Sequence, residues 1–268
     1  MAKRLATMAM ALALMAAAGP TRAGGPAAGT LWTEPATGIV FVWVPGGSFV
    51  MGCRQDHGPC PADELPAHPV TVGGFWLSRT EITQGQWRRL MATNPSEFKK
   101  GDSHPVDQVH WEDANAFLAR LNHTGHGTFR LPSEAEWEYA CRAGHPADSY
   151  CGGNDANAVA WYIDNTIRSR STMPVAGKAA NAFGLFDMSG NLWEWTADCW
   201  SETYAGAPAD GRPRTDKACL SRVLRGGSWG NYPAQLHPSA RRSDTDVKCP
   251  FIGLRLARSP DRRRRGGN

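Results

Sequence analysis

Asp187 and Glu194 are the residues of this 268-residue chain whose type and spacing most invite chemistry. They lie in NAFGLFDMSGNLWEWTADCW, residues 181–200, beside Trp193, Trp195 and Trp200. A carboxylate set among large rings needs a donor or a cation, because an unpaired buried charge is too costly. Two carboxylates, with carbonyls freed at the Gly190-Asn191 turn, form an oxygen cage for a hard ion such as calcium. The other reading is that both acids accept hydrogen bonds from nearby turn amides. The stretch lacks the regular Asp spacing of a dedicated calcium loop, so both readings stay open.

Other reactive types are scattered. Ser228 lies in RVLRGGSW, a strand closed by Gly226-Gly227, and no GxSxG elbow surrounds it, so a hydrolase triad is not indicated. Seven cysteines suit disulfides with one thiol left over. Cys53 and Cys60 bracket a short polar loop, and Cys199 and Cys219 bracket a Gly/Pro-rich excursion. Cys141 and Cys151 form the third candidate pair with Cys249 free, and Cys141–Cys249 is its rival. No CxxC pair supports zinc. His123 and His126 follow a helix in the glycine-broken NHTGHG and are expected as exposed loop histidines. Glu134 and Glu136 sit where a helix macrodipole explains them without catalysis.

Several elements must hold these residues. Thr83 with Gln86, and Ser133 with Glu136, are capping boxes that start helices. Trp111, Ala114, Phe117, Leu118 and Leu121 make one apolar stripe of a helix over 109–122. Residues 40–51 are expected as a hairpin around Pro45-Gly46-Gly47, 64–77 as another strand region, and 192–197 as a strand with two different faces. Capped helices among many short strands and long irregular segments indicate an α+β class. The expected organisation is a signal peptide at 1–23, a linker at 24–38, one domain at 39–258 and a basic disordered tail at 259–268. The leader is cationic then apolar, and its run is too short for a good membrane span. Cleavage leaves 26 Lys plus Arg against 25 acids. That near balance gives no nucleic-acid groove and no membrane association after cleavage, and a monomer is expected.

GLFDMSGNLWEW resembles the central signature of the sulfatase-modifying-factor family, the formylglycine-generating enzymes and their relatives. VWVPGGSFVMG, EITQGQW, FRLPSEAEWEYACRAG, RVLRGGSW and GLRLAR agree in order. The resemblance implies the family's variant of the C-type lectin fold, with little regular secondary structure. It implies a structural calcium site at Asp187, Gly190, Leu192 and Glu194, and a second site to which only Asn157 carries over. It also places Ser228 at the active site. The formylglycine-generating enzymes bind copper through cysteines two and seven residues past the RGGSW tryptophan. Here those positions hold Asn231 and Leu236, and 230–248 contains no cysteine. Copper is therefore not expected, and the redox metal is left unnamed. The expected function is an exported, oxidase-like maturation factor for a peptide or siderophore-like substrate, as in the pyoverdine-maturation branch. The alternatives are a calcium-stabilised binding module for a peptide, protein or small molecule, and a true formylglycine-generating enzyme.

Overall fold

The computed structural model describes residues 25–54, 59–215, 218–245 and 248–260. The expected signal peptide, and the tail beyond Pro260, lie outside these residues. Two sheets carry the fold. The larger is built from β1 (Leu31–Thr33), β2 (Val40–Val44), β5 (Phe75–Ser78), β11 (Ala257–Arg258) and β6 (Phe129–Arg130), side by side in that order. The second is built from β10 (Ile252–Gly253), β7 (Trp193–Cys199), β8 (Arg222–Arg225) and β9 (Arg241–Asp244). A separate ribbon pairs β3 (Gly47–Met51) with β4 (His68–Val72). Three main helices, α1 (Gln84–Arg88), α2 (Trp111–His123) and α3 (Glu134–Arg142), pack around the sheets, and two single-turn helices, α4 (Ala156–Val159) and α5 (Ile163–Thr166), lie in the irregular part. This is the expected α+β class, rich in irregular segments.

The helix starts follow local chemistry. Thr83 Oγ1 accepts from the Gln86 amide and Gln86 reaches back to the Thr83 amide. Ser133 and Glu136 do the same at α3. The apolar stripe of α2 is buried at Ala114, Phe117, Leu118 and Leu121, and Trp87 of α1 stacks on Phe117 with centroids 5.0 Å apart.

Two expectations are corrected. Strands β2 and β3 do not form a hairpin: β2 pairs with β1 and β5, and β3 pairs with β4. The chain leaves one sheet for the other at Gly46, where the backbone passes so close to Gly74 that an added Cβ would lie 2.9 Å from its amide nitrogen. Only glycine permits that approach. The expected linker at 24–38 is part of the fold, since β1 pairs with β2 and Glu34 is fully buried. Glu34 accepts the Thr37 amide at 2.7 Å, and the ring of His126, an exposed loop histidine as expected, lies 2.6 Å from it. The expected strand at 192–197 is present as β7 with two different faces, and Glu194 and Thr196 on one are as buried as Trp195 on the other.

All three expected disulfides are present, Cys53–Cys60, Cys141–Cys151 and Cys199–Cys219, and Cys249 is free. The Cys141–Cys249 rival is excluded.

Candidate functional site

Two structures meet beneath the Gly-rich turns: a buried ionic knot and, beyond it, an open groove. The knot centres on Glu194 in β7. Arg255, in the segment between β10 and β11, reaches both its oxygens, Nε to Oε2 at 2.6 Å and Nη2 to Oε1 at 2.7 Å. The Trp137 indole of α3 donates to Oε2 at 2.6 Å. A bidentate guanidinium–carboxylate pair is among the stronger hydrogen-bonded contacts available. Arg255 also donates to the carbonyls of Ser78, Phe186 and Asp187, so it ties three segments together.

Glu81, from the EITQGQW stretch, holds the turn from the other side. It accepts the Leu192 amide at 2.8 Å and the Asn191 side chain at 2.7 Å. Burial, then repulsion from Asp187 and Glu194, pushes Glu81 well above the usual carboxylate range. Asp187 accepts the Ala176 amide through Oδ2 at 2.7 Å, while its buried Oδ1 has no hydrogen-bond partner. Burial is the main reason its pKa rises to about 6. Three buried acids thus share one guanidinium.

The expected calcium cage involves Asp187 and Glu194, whose surroundings differ. The orphaned Asp187 Oδ1 and the excess of buried acid are what a hard cation would relieve. Glu194, however, is committed to Arg255 and Trp137. Asn157 lies on α4, where its side chain accepts the Tyr162 hydroxyl at 3.1 Å. Among the described residues no three His, Cys, Asp or Glu side chains gather in metal-holding geometry. A cation at this turn would rest on Asp187 and the carbonyls of Gly190 and Leu192.

The groove is positioned from β8. Arg225, fully buried, pairs with Glu138 at 2.5 Å. It also donates to the carbonyls of Pro238, Ser239 and Ala240 at 2.7 to 2.9 Å. That grip sets residues 238–240 against the short 3-10 turn Ala62–Glu64. Between them and Trp193 opens a groove of about 480 Å³, lined by Asp63, Glu64, Asn231, His237 and Arg242 among others. His237 spans the rim, with Nε2 at 2.8 Å from Glu64 and Nδ1 at 2.8 Å from the Ala234 carbonyl. A second groove, about 490 Å³, opens on the far side of His237 toward Tyr150 and Arg142.

A model of the sulfatase-modifying factor enzyme 1-like domain matches residues 29–260. The chain belongs to this family. It is similar to the formylglycine-generating enzyme of Streptomyces coelicolor, with 28% identity over 92% of this chain and 98% of the enzyme. Among solved structures it resembles PvdO from Pseudomonas aeruginosa, at 30% identity and TM-score 0.79 over 88% of this chain and 100% of PvdO. It also resembles variable protein 1 of Treponema denticola, at 25% identity and TM-score 0.75 over 86% of this chain and 99% of that one.

In this sulfatase-modifying-factor chain, the serine of RGGSW is a buried turn residue. Ser228 is 1% exposed, and both its amide and its hydroxyl donate to Asn231 Oδ1, at 2.9 and 2.7 Å. Asn231 in turn donates to Gln235 and lines the groove. Leu236 is fully buried, packed in a cluster with Ala156, Val159, Ala160 and Tyr162. Of the sequence-level candidates, therefore, only Asn231 faces the groove, and Ser228 stands behind it. Arg255 is the buried arginine paired with a carboxylate that its type suggests, whereas Glu81, Glu64 and His237 were not singled out as site residues. Glu81 and Arg255 carried a signal, since each lies in a family motif and a buried acid needs a partner. Glu64 and His237 are 173 residues apart and carried none. The glutamates of α3 do more than suit the macrodipole: Glu134 binds Arg241 through both oxygens and accepts the Tyr204 hydroxyl.

Proposed function

We propose that this chain is an exported, oxidase-like maturation factor of the sulfatase-modifying-factor family. Its substrate is a peptide or siderophore-like molecule bound in the groove beside Trp193, and it does not use the copper chemistry of formylglycine formation. The observation that carries the reading is what stands at the family's two thiolate positions. Leu236 is fully buried among apolar neighbours, and Asn231 is tied to Ser228 and Gln235. Neither residue is a soft ligand for Cu(I). Likeness to PvdO, at TM-score 0.79, supports a relation to that protein. Three disulfides support export to an oxidising compartment. Among the described residues no helix is long and apolar enough to cross a membrane.

Calcium enters this proposal as a structural ion. Bound at Asp187 with the Gly190 and Leu192 carbonyls, it would offset the buried acids around Arg255 and stiffen the turn that carries β7. The protein is proposed to act as a monomer, without nucleic acid.

A second reading, a non-catalytic binding module, is favoured by one feature of the groove. Its arginines and histidine are already engaged, Arg241 with Glu134, Arg242 with Asp244 and His237 with Glu64. Oxygen uptake by the purified mature protein with candidate peptide or siderophore precursors separates the two. Turnover with oxygen consumption supports the oxidase; tight binding without consumption supports the module. Metal analysis adds a second axis: calcium alone favours the module, and iron or copper favours the oxidase.

A further inference from the structure

We propose that the groove beside Trp193 receives a cationic group of the substrate, an ammonium or guanidinium, on Asp63 and Glu64. The inference deepens the reading of this groove as the substrate site and rests on it. Both acids come from the same 3-10 turn, and both line the groove. Glu64 is 3% exposed. Its Oε1 is held by His237 at 2.8 Å, while the buried Oε2 has no hydrogen-bond partner. The Ser239 hydroxyl nearby favours the charged form without closing that gap. An ionised carboxylate accepts about four hydrogen bonds, and a buried one left short of donors is costly.

Asp63 adds to the demand. Its backbone carbonyl accepts from Arg241 at 2.7 Å, but its carboxylate makes no ion pair among the described residues. Burial raises its pKa and the neighbouring Glu64 charge raises it further, against the opposing pull of Arg241 and Arg225. The arginines nearby make their ion pairs with other acids. Arg241 is committed to Glu134, and Arg242 pairs with Asp244. Two acids therefore meet one side-chain ion-pair partner, the ring of His237. An anionic substrate group would meet repulsion there. A bare metal ion is disfavoured too, because Asp63, Glu64 and His237 do not gather in metal-holding geometry among the described residues. An organic cation suits the place: its N–H donors answer the carboxylates, and Trp193 lines the same groove.

The test uses two probe peptides that differ only in charge, Ac-Gly-Lys-Gly-NH2 and its norleucine counterpart. Each is titrated into the full mature protein by calorimetry, and the Trp193 indole resonance, assigned with Trp193→Phe, is followed by NMR. The lysine peptide should shift Trp193 and bind at least about tenfold more tightly, the order expected of one charge-assisted hydrogen bond. Glu64→Gln and Asp63→Asn should each erase most of that preference. Asp63 is partly exposed, so its variant keeps the test valid if Glu64→Gln does not fold. Equal binding of both peptides at Trp193, or preference unchanged in Asp63→Asn, overturns the cation assignment and leaves the groove standing as a substrate site. No shift at Trp193 with either peptide overturns the assignment and counts against the groove itself.

Discussion

Glu194 and Arg255 meet in the interior, both 0% exposed, through two contacts of 2.6 and 2.7 Å. The pair joins the central strand of one sheet to the chain entering the other. Trp137 adds a third bond to the same carboxylate, and Arg255 spreads three more over neighbouring carbonyls.

Removing one side of this pair leaves the other charge buried and unanswered, a loss of about 3–5 kcal/mol. Arg255→Ala is therefore expected to lower stability by that order, and Arg255→Lys to recover little, because an ammonium lacks the guanidinium fork. Urea denaturation of each variant measures it. An Arg255→Ala midpoint close to wild type would show the knot to be peripheral.

The Cys199–Cys219 bridge closes a loop with sequence separation 20. In the chain-entropy model a loop of this size contributes about 3 kcal/mol. Cys199→Ala with Cys219→Ala should lose stability of that order, read by urea titration. Non-reducing peptide mapping of the wild type should recover both cysteines in one linked fragment.

His237 makes stability depend on pH in a defined direction. Both its ring nitrogens face acceptors, Ala234 O and the Glu64 carboxylate, so both carry protons. Burial opposes that charge, but Glu64 outweighs burial and raises the His237 pKa. Its contribution is thus fully present below the unfolded value of about 6.5 and is lost as pH rises through the folded one. For Glu64, burial would raise the pKa, yet His237 holds it low. That contribution is present above about 4.3 and is lost as pH falls through the folded value. His237→Asn should therefore flatten the decline in melting temperature above about pH 6.5. An identical pH profile in the variant would remove the pair from the account.

Calcium should stabilise the protein by mass action, about 2.7 kcal/mol at a hundredfold excess over Kd. Asp187→Asn should abolish the response, since Asp187 Oδ1 is the acid oxygen still without a hydrogen-bond partner at this turn. Melting curves with calcium and with chelator decide it, and indifference to both would leave the turn to hydrogen bonds alone.

What could be read before the fold was known follows from distance along the chain. The Thr83–Gln86 and Ser133–Glu136 capping boxes span three residues, so local types suffice to find them. The short-loop cysteine pairs were legible for the same reason. Asn191 meets Glu81 across 110 residues, and Glu194 meets Arg255 across 61. The need for partners was evident at Asp187 and Glu194, but their identity depended on how the two sheets interlock. The hairpin at 40–51 failed similarly: alternation marked both strands, while the crossing at Gly46 is set by Gly74, far along the chain. Asn231 and Leu236 were legible as departures from the family's cysteines, and only packing showed one lining a groove and the other in the core.

The central claim is that this family scaffold does not make formylglycine by copper chemistry. The direct measurement loads the mature protein with Cu(I), supplies a CxPxR peptide and oxygen, and follows the peptide by mass spectrometry. The cysteine should remain unconverted under conditions where a copper-dependent formylglycine-generating enzyme converts it. Copper-dependent appearance of the aldehyde would contradict the account, and Cys249, the free thiol, would then be the first residue to replace.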